Sequence, residues 1–75
     1  MLADDHVLLR DALAALIDSF EECSIIGVAS NGKELMKLFA AGKLPDIVVL
    51  DLNMPEMDGY ETAQWLQENH PGVRI

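Results

Sequence analysis

Three observations predict an α/β domain built on a doubly wound parallel sheet. Residues 47–50 (IVVL) are four consecutive β-branched or leucine residues without polar alternation, the pattern of a central parallel strand covered on both faces. That run ends on an aspartate, Asp51, and the same event occurs at the start of the chain, where Met1, Leu2 and Ala3 run into Asp4 and Asp5. Strand and helix patterns then alternate through all 75 residues, with no internal repeat, low-complexity segment or interior linker.

The elements follow in order. Residues 1–3 read as the tail of a first strand. From Val7 to about Phe20, apolar residues at Leu9, Leu13, Leu16 and Phe20, flanked by Ala12 and Ile17, keep helical spacing, and Arg10, Asp11 and Asp18 are expected to face solvent. Residues 24–29 (SIIGVA) predict a second strand, broken by Ser30, Asn31 and Gly32. Asn31 with Glu34 resembles a capping box, and Leu35, Leu38 and Phe39 give the second helix its buried stripe before Gly42 and Pro45 end it. The third strand and its loop lead into a third helix, residues 60–69, stopped by His70, Pro71 and Gly72. Val73, Arg74 and Ile75 read as the first step of a fourth strand.

Right-handed crossovers limit how these units lie and favour the strand order 2-1-3, with strand 4 beyond strand 3. Strands 1 and 3 are then neighbours, and Asp4, Asp5 and Asp51 meet beyond their carboxyl ends, where open α/β sheets bind ligands. Three converging carboxylates repel one another, and hard oxygen ligands of this kind suit a divalent cation such as Mg²⁺.

Composition narrows the function. A chain of 75 residues makes at most one small domain, and 51% apolar content argues against disorder. A formal net charge of −8 with only five Lys and Arg argues against direct nucleic-acid contact. The lone cysteine, Cys23, cannot form an internal disulfide, fits a reducing compartment and is expected to be a buried thiol. No stretch is apolar enough to span a membrane, and acidic residues stand where a signal peptide needs positive charge, so a cytoplasmic location is expected.

ADDHVLLRDAL after the first strand, paired with IVVLDLNMPEMDGYE at the third, resembles the receiver domain of bacterial two-component response regulators; the ADDH form is similar to the subgroup with a LuxR-type DNA-binding output. The resemblance implies a flavodoxin-like fold and a signalling role in which Asp51 accepts a phosphoryl group from a sensor histidine kinase or a small acyl phosphate. It also implies an Mg²⁺ site at Asp4, Asp5 and Asp51, with Asp5 the direct ligand, Asp4 acting through water, and the Asn53 backbone carbonyl as a further ligand. Pro55 and Gly59 then shape the loop and open the next helix. Residues 1–75 are expected to be the N-terminal part of a single receiver domain, truncated after the start of strand 4. They would lack the later hydroxyl and lysine residues of the family and any output domain, and the chain is expected not to be a turnover enzyme.

Other motifs fit less well. An EF-hand loop starting at Asp51 would need Asp or Asn, Gly and Glu where this chain has Pro55, Glu56 and Thr62. A nucleotide-binding loop would need glycines where Asp4 and Asp5 stand. A haloacid-dehalogenase-like phosphohydrolase shares the aspartate nucleophile, but its second aspartate would be Asn53, whose amide cannot act as general acid and base. A reading from another class is a non-catalytic half-domain acting in folding or self-association, through the exposed third strand or the third helix near Trp65. His6, beside the acidic pair, could serve as a metal ligand or proton carrier but is expected to be a partly exposed polar side chain; His70 is expected to be a loop residue, Met54 and Met57 loop packing, and Trp65 either edge-of-core packing or an interface residue.

Overall fold

The computed structural model describes residues 1–75 and contains six elements. These are β1 (Leu2–Ala3), α1 (Val7–Asp18), β2 (Val28–Ala29), α2 (Gly32–Ala40), β3 (Val49–Leu50) and α3 (Gly59–Asn69). The sheet is parallel in the order β2-β1-β3. Leu2 and Ala3 lie level with Val28 and Ala29 on one side and with Val49 and Leu50 on the other. The fourth position is marked by a parallel bridge between Ile47 and Arg74, closed by Val48 N–H to the Arg74 carbonyl at 2.8 Å and Arg74 N–H to the Asp46 carbonyl at 3.0 Å.

The two crossovers run in opposite directions across β1, so their right-handedness places α1 on one face of the sheet and α2 with α3 on the other. The core lies on the α2/α3 side. Leu35, Val48 and Leu66 are completely buried there, joined by Met1, Ala3, Ala29, Phe39 and Met54. Gly32, the first residue of α2, sits so close to α3 that a Cβ would fall 2.1 Å from Thr62 Oγ1. No side chain fits there.

Local signals explain the helix starts. Asn31 caps α2, its Oδ1 accepting the Glu34 N–H at 2.9 Å, while Glu34 Oε1 accepts the Ser30 N–H at 2.9 Å, one residue earlier than in a standard capping box. Asp58 caps α3 in the same way, through the Glu61 N–H at 2.9 Å. Gly42, at φ +91°, turns the chain out of α2.

The structure corrects several expectations. Each strand is only two residues long, and β2 begins at Val28, so residues 24–27 are irregular. Cys23 is therefore exposed. Residues 47–50 are not covered on both faces: Val48 is buried, but Ile47 and Val49 are 54% and 47% exposed. The apolar stripe of α1 is only partly covered: Leu13 and Ile17 are half-buried, no residue on the helix is fully buried, and Leu9, Leu16 and Phe20 are each more than half exposed. A twelve-residue helix runs about 18 Å, and two-residue strands span about 7 Å, so the sheet underlies only part of α1. Arg10 turns inward: its side chain is 14% exposed and donates to Ser30 Oγ at 2.8 Å.

Candidate functional site

β1 and β3 are adjacent, parallel and in register at Ala3 and Leu50, so the residues that follow them, Asp4 and Asp51, leave the sheet side by side. The ladder carries on one step, with Asp51 N–H donating to the Ala3 carbonyl and Asp4 N–H to the Ala29 carbonyl, both at 2.9 Å. One ligand atom from each of Asp4, Asp5, His6 and Asp51 lies within 4.8 Å of the others. Two strand ends thus gather three carboxylates and an imidazole.

Burial is graded across the group. Asp4 is nearly covered, while the Asp51 and Asp5 side chains are 26% and 35% exposed. Asp4 Oδ1 accepts the His6 backbone N–H at 2.9 Å and faces His6 Nδ1 at 3.2 Å. The backbone bond from His6 holds the Asp4 carboxyl below the usual carboxylate range, with the His6 ring contributing further. His6 is raised above the ordinary histidine value, first by its hydrogen bond to Asp4 and then by the charges of Asp5 and Asp4. Its Nδ1 lies 3.3 Å from Asp5 Oδ1 and 4.0 Å from Asp51 Oδ2.

The loop after Asp51 is built from short bonds. Asn53 donates its N–H to Asp51 Oδ1 at 3.3 Å. Met57 N–H reaches the Pro55 carbonyl at 2.7 Å, with Glu56 between them in the left-handed region at φ 65°. Gly59 N–H returns to the Leu52 carbonyl at 3.2 Å, and a Cβ on Gly59 would stand 2.4 Å from the Asp51 carbonyl oxygen. The backbone of α3 can approach Asp51 this closely only through glycine. Trp65 lies apart from this group on α3, half-buried and edge-on to Phe39 with ring centroids 5.5 Å apart.

The donor set fits a hard divalent cation. Three carboxylates can approach one ion, whose positive charge would relieve their mutual repulsion. Two features were not read from the sequence. One is the placement of His6 over the carboxylates, which follows from the turn of residues 4–6; an Asp two residues before the N-cap His6 is its faint signal. The other is the aromatic group in which the His70 ring packs at a tilt against Phe39 and Trp65, with centroids 4.6 and 5.3 Å away.

Comparison with known proteins bears on this geometry. The response regulator receiver domain matches residues 1–75. The transcriptional regulatory protein YdfI of Bacillus subtilis is 42% identical over 71 residues, covering 93% of this chain and 32% of YdfI. The nitrate/nitrite response regulator protein NarL of Escherichia coli K12 is 41% identical over 75 residues, covering 100% of this chain and 34% of NarL. The chain thus spans about a third of the length of these relatives. Among solved structures, the response regulator ChrA of a heme-sensing two-component system superposes with a TM-score of 0.79 at 32% identity, covering 99% of this chain and 33% of ChrA. The response regulator domain of Thermotoga maritima CheB gives a TM-score of 0.82 at 28% identity, covering 93% of this chain and 52% of the other. With its parallel β2-β1-β3 sheet and acidic strand ends, the chain belongs to the response regulator receiver domain family.

Proposed function

We propose that this chain is the phosphoacceptor part of a two-component response regulator, with Asp51 as the acceptor. The observation that carries this reading is the gathering of Asp4, Asp5 and Asp51 within 4.8 Å at two adjacent strand ends, in a chain of the receiver family. An Asp51 carboxylate oxygen attacks the phosphorus of a phosphohistidine on a sensor kinase; the P–O bond forms, the P–N bond breaks, and the departing imidazole takes up a proton. Asp51 is partly exposed, and can meet the donor, and its second contact to the Asn53 N–H orients the carboxylate. Mg²⁺ held by Asp5, Asp51 and the Asn53 carbonyl, with Asp4 through water, would offset the charge of the incoming phosphoryl oxygens. Pro55 and Gly59 keep the loop in place beside Asp51.

Asn53 stands where a phosphohydrolase of the aspartate-nucleophile type needs a second carboxylate, so the adduct persists as a signal and the chain does not turn over. The relatives that regulate transcription support an output of that kind, delivered by a separate LuxR-type region, with this chain as the N-terminal part of the receiver. No helix is long and apolar enough to cross a membrane; a cytoplasmic site of action suits a kinase that delivers phosphate there.

The test is incubation of the full-length protein with Mg²⁺ and a small acyl phosphate, read by intact mass and peptide mapping. One phosphoryl group is expected on Asp51 and none in Asp51→Asn. Phosphate on a histidine, or retained in Asp51→Asn, overturns the assignment. The exposed Ile47 and Val49 favour a second reading, a non-catalytic segment that self-associates through β3. That reading expects no adduct and a concentration-dependent sedimentation coefficient.

A further inference from the structure

α2 and α3 meet along an open trough of about 620 Å³ whose floor is Met36, Phe39, Met57 and Trp65. Phe39 is buried and the other three are half-buried, so the floor is apolar surface fixed by the core and by the edge-on contact of Phe39 with Trp65. The rim has a different character. Lys33 and Lys37 stand one turn apart on α2, exposed, and neither lies within ion-pair distance of a carboxylate. They are two of only five Lys and Arg in a chain with thirteen Asp and Glu, and none of the residues lining the trough is acidic.

The position of the trough separates it from the bare faces elsewhere. The sheet continues past β3, where Arg74 pairs beside Ile47, whereas α2 follows β2 at the opposite edge. Two lysines along the α2 side of an apolar floor, on an otherwise acidic surface, select for a partner that carries carboxylates beside an apolar stripe.

We propose that the α2/α3 trough docks an acidic amphipathic helix of a partner protein, whose apolar stripe packs on Phe39, Met57 and Trp65 and whose carboxylates face Lys33 and Lys37. Such a helix presents apolar residues at i, i+3, i+4 and i+7. The contact is independent of Asp51 chemistry, so it stands or falls apart from the phosphoacceptor reading.

The probe is a fluorescein-labelled helical peptide of about 16 residues with leucines at that spacing and glutamates between them, titrated with the full-length protein and read by anisotropy. A counterpart with lysines for glutamates is the control. Saturable binding of the glutamate peptide is expected, weakening as salt rises, with at least about tenfold loss in Lys33→Glu/Lys37→Glu. Because both lysines are exposed, the double variant keeps its fold, and circular dichroism checks that it does. Met36→Glu, on the floor, is expected to weaken binding with the rim intact. The proposal is overturned by absence of saturable binding, by equal binding of the lysine peptide, or by an unchanged affinity in the double lysine variant.

Discussion

The two faces of the sheet carry helices of different fate, and the most apolar one is the least buried: nine of the twelve residues of α1 are apolar, against five of nine in α2 and four of eleven in α3. On one face α2 and α3 cover each other as well as the sheet, and Leu35, Thr62 and Leu66 lose all contact with solvent. On the other face α1 has no second helix beside it, and Leu8 remains 89% exposed, with Val7, Leu9 and Leu16 more than half exposed. An apolar stripe marks a surface that can be buried; whether it is buried depends on a neighbour that the stripe itself does not encode. The acidic cluster lies at the carboxyl edge of the sheet, between the closed side and the open one.

The largest test of this contrast is a pair of truncations. Leu66→Ala should cost about 2–5 kcal/mol of stability, the range for a fully buried leucine that leaves a cavity. Leu16→Ala, 55% exposed, should stay within about 0.5 kcal/mol in the 75-residue chain. Urea unfolding compares the two. Equal costs would break the contrast and show that α1 is covered by another segment or another copy.

A smaller effect is expected at the closed side's own boundary. Asn31→Ala removes the acceptor for the Glu34 N–H and should cost about 0.5–2 kcal/mol, measured by the same unfolding curve. A cost near zero would mean that the packing of Gly32 against Thr62, and not the cap, fixes the start of α2.

The smallest effect concerns the site. His6 has a raised folded value, so its favourable contribution is fully present below its unfolded value near about 6.5 and is lost as pH rises through the folded one. Asp4 has the opposite sign: its contribution is present above about 3.9 and is lost as pH falls through its depressed folded value. An NMR titration of His6 should give a midpoint above the ordinary histidine value, moving back toward it in Asp5→Asn. An unmoved midpoint in that variant would remove Asp5 from the group around the imidazole.

The parts of this architecture that were legible in the sequence are those set by local chemistry. Asn31 before an apolar stripe marked α2, and a strand running into Asp51 marked the edge at which the carboxylates gather. The strand order 2-1-3 followed from crossover handedness. What escaped depended on distant contacts. Residues 24–26 carry strand-like apolar residues at Ile25 and Ile26 but lie outside the ladder, which reaches back only to the Gly27 carbonyl, and Cys23 before them is exposed. Arg10 was assigned to solvent by its helical position, yet its long side chain folds back to Ser30, twenty residues on. Asp58 with Glu61 three residues later is a cap signal present in the sequence as well.

The loop from Asp51 to Gly59 is closed by its own backbone and side-chain bonds and joined to α2 through Gly32 N–H and the Met57 carbonyl at 3.0 Å. Fixing a residue's backbone costs about 1–2 kcal/mol in lost entropy. In this loop that loss occurs when the chain folds, not when a ligand arrives. Under the proposed role, a phosphoryl donor would meet a loop that is already ordered, and the free energy of its encounter would be left for chemistry and not for ordering the protein.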